Sequence, residues 1–342
     1  MSKAKPRRGA SPGAVAIDIH AHYFPEVYLR AIETQGERFG ITLDRSDALG
    51  PAIKIGTMLG GHLRREFYDL EARLKEMNRA GVDVHALSLT FPMVYWADAE
   101  LGTRLARAVN DAMSEAHRAH PERFVALATL PMQEPKRAVE ELDRSARLPG
   151  IRGVYLGTNV NGRELDDPTF FPVWERIDDL ELPVFLHPLN VIGAQRLGPY
   201  YLANLLGNPY DTGVAAARLI FGGVLDRFPK LSVCLPHAGG TLPYLIGRLD
   251  RGQKVRRELK HMKRKPSAYL RRFTYDTISH APEPLRYLID LVGADRVMIG
   301  SDYCFDLGYE RPVQVVTSLP RLSRADQAKI LGGNAEKLLE LR

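Results

Sequence analysis

The sequence predicts an α/β fold: a distorted (β/α)8 barrel of the TIM type, with a small insertion after the first strand and extra C-terminal helices. Two observations carry this expectation. Eight short apolar runs alternate with longer amphipathic segments, and strands apolar on both faces imply a parallel sheet buried under helices. A count of eight favours closure. The competing architecture, an open doubly wound sheet, should carry a Gly-rich phosphate turn after its first strand, and the residues there, AHYFPE, form none.

The elements follow in order. The first thirteen residues, MSKAKPRRGASPG, are basic and then Pro/Gly/Ser-rich, without the apolar core of a signal peptide. They read as a disordered tail, 1–13, ahead of a barrel at 14–342. Strand one is VAIDIH (15–20). From about 24 to 62 turn formers break the rhythm, which marks the insertion and places it over the mouth of that strand. Helical periodicity resumes at FYDLEARLKEMNRAGV, with Leu70, Leu74 and Met77 on one face and Gly81 as a stop.

Strands two to eight are then 82–90, 124–130, 150–157, 182–187, 231–237, 273–277 and 296–302. Helices are expected at about 98–119, 135–147, 168–179, 211–227 and 283–293. Further helices, including SRADQAKILGGNAEKLLEL, finish the chain.

Composition bounds the function. No apolar run reaches the roughly 18 residues of a membrane span, so no membrane partner is expected. Two cysteines, Cys234 and Cys304, argue for a reducing compartment, hence the cytoplasm, and against a disulfide framework. Of the net charge of +6, Lys3, Lys5, Arg7 and Arg8 supply +4, leaving about +2 for the body. Residues 251–272 hold ten Lys or Arg against Glu258 alone. A solvated surface is the favoured reading there; a positive rim attracting an anionic substrate is the alternative. Nucleic acid is not an expected partner, because no stacking aromatics or known motif accompany the charges.

Barrel active sites form at the C-terminal strand ends. His20 and His22, one residue apart in IDIHAH, share a face of strand one. His187 ends strand five, His237 strand six and Asp302 strand eight. A single strand-end histidine is more often a hydrogen-bonded structural residue, and Asp302 alone could cap a helix. The coincidence of all five on one rim points to a metal site. Three histidines and a carboxylate around one divalent ion, with a position left for water, is a catalytic arrangement. The expected ligands are His20, His22, His187 and Asp302, with His237 as general acid/base.

Other residues weigh less. Asp276 could orient His237 or His280, or be a buried structural carboxylate. His85, inside strand two, reads as structural. His117 and His120, at a helix end, are expected to face solvent. His62 and Arg64 belong to the insertion edge, where Arg64 could bind a substrate carboxylate through its guanidinium fork. Cys304 could line the pocket.

The landmarks IDIHAHYFP, MNRAGVDVHALSLTFPMVYWAD, RFVALATLPMQ, FLHP, GGVLDRFPKLSVCLPHAGGTLPYLIGRLD and IGSDYCFDLG run along nearly the whole chain. In them the sequence resembles the amidohydrolase superfamily, in the branch containing α-amino-β-carboxymuconate-ε-semialdehyde decarboxylase. The resemblance implies a single divalent metal, usually zinc with manganese as the other choice, on the ligand set above, with His237 as acid/base. It implies Arg64 and Arg248 as substrate-carboxylate contacts, Arg248 reaching across a homodimer, and Phe305 as a pocket aromatic. Strand four lacks the lysine that bridges two metals in other branches. The chain departs from the branch after strand five, where HPLN puts Leu189 and Asn190 in the pocket wall, and at Gly61, where a second arginine is expected; Arg65 could take its place.

The expected function is therefore a metal-dependent, non-oxidative decarboxylase of an unsaturated or aromatic carboxylic acid. The alternative is a hydrolase or hydratase of the same superfamily, acting on a C–C, lactone or amide bond.

Overall fold

The computed structural model describes residues 15–47, 50–55 and 58–341; the predicted tail, 1–13, lies outside them. Eight strands form one parallel sheet in chain order: β1 (Ile17–His22), β2 (Val84–Ser88), β3 (Phe124–Thr129), β4 (Ile151–Gly157), β5 (Val184–His187), β6 (Val233–Leu235), β7 (Phe273–Asp276) and β8 (Val297–Met298). The sheet closes on itself. Ile19 N–H donates to Ile299 O (2.9 Å), Asp302 N–H to His20 O (3.0 Å) and His22 N–H to Tyr303 O (2.6 Å). Side chains of β1, β2 and β3 are buried throughout, as a barrel packed inside and covered by helices requires.

The helices obey their local signals. Asp69 caps Leu70–Ala80 by accepting the Ala72 N–H (3.0 Å), and Gly81, at φ 75°, ends it in the left-handed conformation glycine adopts freely. Asp98 caps the 21-residue helix Ala99–Ala119 in the same way. Between β1 and Leu70 lie the helix Glu26–Gln35 and an antiparallel sheet of Ile41–Asp44, Ala52–Ile55 and Met58–His62. The chain ends in short helices at Pro312–Thr317, Arg324–Ala328 and Asn334–Leu338.

Three expectations shift. β6 stops at Leu235, because Pro236 has no N–H for the ladder, so His237 stands in a turn after the strand, at φ 54°. β8 is reduced to Val297–Met298, and Asp302, at φ 59°, lies in the segment beyond it. His117 does not face solvent: its Nδ1 lies 2.7 Å from the Phe124 carbonyl, and its ring packs where Gly150 leaves room for it. No helix among the described residues is long and apolar enough to cross a membrane.

Candidate active site

The strand ends bring the expected residues to one rim. One ligand atom from each of His20, His187, His237 and Asp302 lies within 4.8 Å of the others. His22 stands beside them, its ring centroid 4.9 Å from His20 and 5.0 Å from His187, with Nε2 3.0 Å from Asp302 Oδ1.

Three of the four rings are held from behind, whereas His237 Nδ1 has no hydrogen-bond partner among the described residues. His20 Nδ1 meets Asp276 Oδ2 at 2.8 Å, His22 Nδ1 meets Ser88 Oγ at 3.1 Å, and His187 Nδ1 meets the Pro188 carbonyl at 3.0 Å. At His20 the partner is a carboxylate, so the ring donates from Nδ1 and presents a lone pair on Nε2. His20 Nε2 is buried without a hydrogen-bond partner and lies 3.5 Å from Asp302 Oδ1. A buried orphan acceptor beside a carboxylate and other imidazoles is what a divalent cation would satisfy, so these residues fit one.

The two oxygens of Asp302 divide the group. Oδ1 faces His22 and His20, whereas Oδ2 faces His237 Nε2 at 3.9 Å. His237 and Asp302 also line a cavity of about 800 Å3, together with Asn208, Tyr244, His280 and Tyr287; the other three histidines lie behind it.

Electrostatics suit metal binding. Burial holds the His187 imidazole well below its usual range and pulls His22 down to about 4, so both are neutral donors at physiological pH. Burial pushes the Asp302 carboxyl up, but the close His22 ring, His237 and the nearby His20 outweigh it and hold the group well below the carboxylate range.

Asp276 settles among its alternatives by geometry. It binds the His20 ring and accepts the N–H groups of His237 (3.0 Å), Ala238 (2.8 Å) and Ile278 (3.0 Å), and no bond joins it to His280. Gly300 permits this: a Cβ there would stand 2.7 Å from that of Asp276 and 3.1 Å from that of His20.

The expected substrate contacts are spread more widely. Phe305 packs on the histidine cluster, its ring 5.4 Å from His22. Arg64 is half-exposed, 3.6 Å from Glu66, and borders a separate cavity of about 270 Å3 beyond Phe305. Arg248 is exposed on the helix Leu242–Val255. Asn190 is exposed beside buried Leu189, outside the large cavity. Among the described residues, none of 251–272 lines that cavity; Arg256, Lys265 and Arg271 instead pair locally with Glu258, Asp250 and Asp295. The sequence reading missed Asp18, Arg73 and Ser88. Arg73 had a visible sign, since it falls between Leu70 and Met77 on the apolar helix face.

A closed eight-stranded barrel with histidines and an aspartate converging at its C-terminal rim defines a metal-dependent barrel enzyme. The amidohydrolase family profile matches residues 17–341, and the chain belongs to that family. It is 35% identical to a 2-amino-3-carboxymuconate-6-semialdehyde decarboxylase of Dictyostelium discoideum, over 96% of this chain and 92% of the relative. Among solved structures it is similar to 5-carboxyvanillate decarboxylase from Sphingomonas paucimobilis, at TM-score 0.83 and 30% identity, covering 96% of this chain and 99% of that one. It is also similar to a dihydroxybenzoic acid decarboxylase from Polaromonas with bound manganese and 2-nitroresorcinol, at TM-score 0.78 and 26% identity, over 96% and 97% of the two chains.

Proposed function

We propose that the chain is a metal-dependent, non-oxidative decarboxylase of an unsaturated or aromatic carboxylic acid, with His20, His22, His187 and Asp302 as ligands of one divalent ion and His237 as acid/base. The observation that carries this reading is the division of Asp302, whose Oδ1 converges with His20 and His22 while Oδ2 faces His237 at the cavity. The ion would supply Lewis acidity that holds and polarises the substrate carboxylate.

His237, at the front of the cavity, delivers a proton to the carbon that bears the carboxylate. The C–C bond then breaks, its electron pair returns to the unsaturated system, and CO2 leaves. Asp302 Oδ2 stabilises His237 while it is protonated, and solvent protons restore it. Burial of the ligand histidines excludes water from behind the site.

The donor set suits zinc, and the manganese of the Polaromonas structure makes that ion the alternative. A homodimer is supported by apolar side chains left exposed near the cavity. Leu205 and Tyr244 line it, while Tyr200, Tyr201, Leu206 and Tyr210 lie exposed in the neighbouring segment. Arg248 follows Tyr244 by one helical turn on the same exposed face, and on this reading it would contact the substrate carboxylate of a second copy. Two free, buried cysteines support a cytoplasmic location. The test is metal-dependent CO2 release from a panel of hydroxylated aromatic and muconate-type acids, which must disappear on chelation.

A further inference from the structure

The histidine strand is irregular where the ligands sit. Between Asp18 and Ala21, β1 advances three residues while β2 advances two, from His85 to Leu87, so β1 carries a bulge. Backbone groups in such a bulge need partners from outside the ladder. Inside the bulge the His20 N–H finds the Asp18 carboxylate, Oδ1 at 3.0 Å; just past it, where His22 is back in register with Ser88, the His22 carbonyl accepts from Arg73 Nη2.

Arg73 is fully buried, yet among the described residues none of its partners is a carboxylate. Besides the His22 carbonyl it meets His85 Nδ1 at 3.2 Å and Cys304 Sγ at 3.4 Å, and it lies over the Tyr303 ring at 5.1 Å. Burying a guanidinium without a counter-charge is unfavourable unless its N–H groups are engaged; here Nη1 and Nη2 are engaged and, among the described residues, Nε is left without a partner. An arginine N–H can only donate, so His85 Nδ1 accepts and the ring proton sits on Nε2, which faces Asp18 Oδ2 at 3.7 Å. Burial, then the charge of Arg73, keeps the His85 imidazole well below its usual range, consistent with that neutral tautomer. Asp18 is anchored in turn by the hydroxyl and the N–H of Ser301, the latter at 3.2 Å.

We propose that Arg73, with His85 and Asp18, forms a positioning unit that clamps the His20–His22 backbone at both ends and thereby sets metal affinity. None of the three lines the large cavity that His237 and Asp302 face. The unit joins the helix Leu70–Ala80, β2, β1 and the segment after β8 behind the ligands, with Asp18 serving the backbone inside the bulge and Arg73 the carbonyl that follows it. The proposal rests on the reading of His20 and His22 as metal ligands.

The test is Mn2+ affinity of the full-length, metal-stripped protein, read from the electron paramagnetic resonance signal of free Mn2+, alongside thermal melting. Arg73→Met should weaken binding about 10–100-fold, the range that partners behind metal ligands command. Arg73→Lys keeps a donor for the His22 carbonyl and should recover part of that loss. Folded Arg73→Met with affinity within about twofold of wild type would overturn the proposal, whatever its melting temperature, because the effect sought is larger than that. If Arg73→Met does not fold, Arg73→Lys and Ser301→Ala are judged by the same threshold. Wild-type protein that binds no Mn2+ overturns the metal reading and this role with it. Wild-type binding with unchanged variants overturns this role alone.

Discussion

His20 and Asp276 meet at 2.8 Å, imidazole Nδ1 to carboxylate Oδ2, and the same carboxylate accepts the N–H of His237 at 3.0 Å. One side chain on β7 thus orients a proposed metal ligand and the turn that carries the proposed acid/base. Asp276→Asn should keep the fold but weaken metal binding and turnover, each about 10–100-fold. Metal analysis after dialysis, with circular dichroism as the control, checks this.

Acidification should release the metal through His20. Burial lowers the affinity of His20 for a proton, but Asp276, Asp302 and Asp18 together outweigh it, so in the metal-free protein the ring titrates above its ordinary 6.5. An ion must displace that proton. Apparent affinity should therefore weaken as pH falls through the raised value, with about one proton released per ion bound, measurable by calorimetry in buffers of different ionisation enthalpy. The folding linkage runs the other way. A raised histidine stabilises the metal-free fold fully below the unfolded value of 6.5 and loses that contribution as pH rises through the folded value. The melting temperature of the metal-free protein should carry that downward contribution on alkalinisation, and Asp276→Asn should flatten it.

Neither thiol should react in the native state. Burial pushes Cys304 up to about 12 and Cys234 higher still, so the thiolate is scarce at pH 8. Ellman's reagent should label neither cysteine in native protein and both after denaturation.

Arg248→Ala should raise KM about 10–100-fold, the loss of a charge-assisted hydrogen bond to a carboxylate, while metal content stays unchanged. Light scattering on the same samples tests the dimer: an effect of Arg248→Ala in a strictly monomeric protein would rule out a contact made across subunits.

The barrel and the five convergent residues were legible because their cues are local. Strand periodicity, a strand-end histidine and an Asp cap are each written in a few neighbouring residues. What stayed hidden depends on contacts between distant strands. Nothing near Asp276 announces that its carboxylate reaches His20, and the role of Gly300 appears only when β7, β8 and β1 stand side by side. The bulge at Asp18 is likewise a property of pairing with β2, so neither the Asp18 contact inside it nor the Arg73 contact just past it can be read from IDIHAH alone. The strand lengths erred for a simpler reason. Apolar runs continue past the ladder, whereas Pro236 ends β6 early and left-handed Asp302 lies beyond a short β8.

The most direct test is CO2 release by metal-loaded wild type and by His237→Asn, with metal content measured on the same samples. The account predicts one CO2 per product molecule from wild type, and loss of CO2 release in His237→Asn with its metal retained. Turnover without CO2, the outcome for a hydrolase or hydratase, or full CO2 release by His237→Asn, would contradict it.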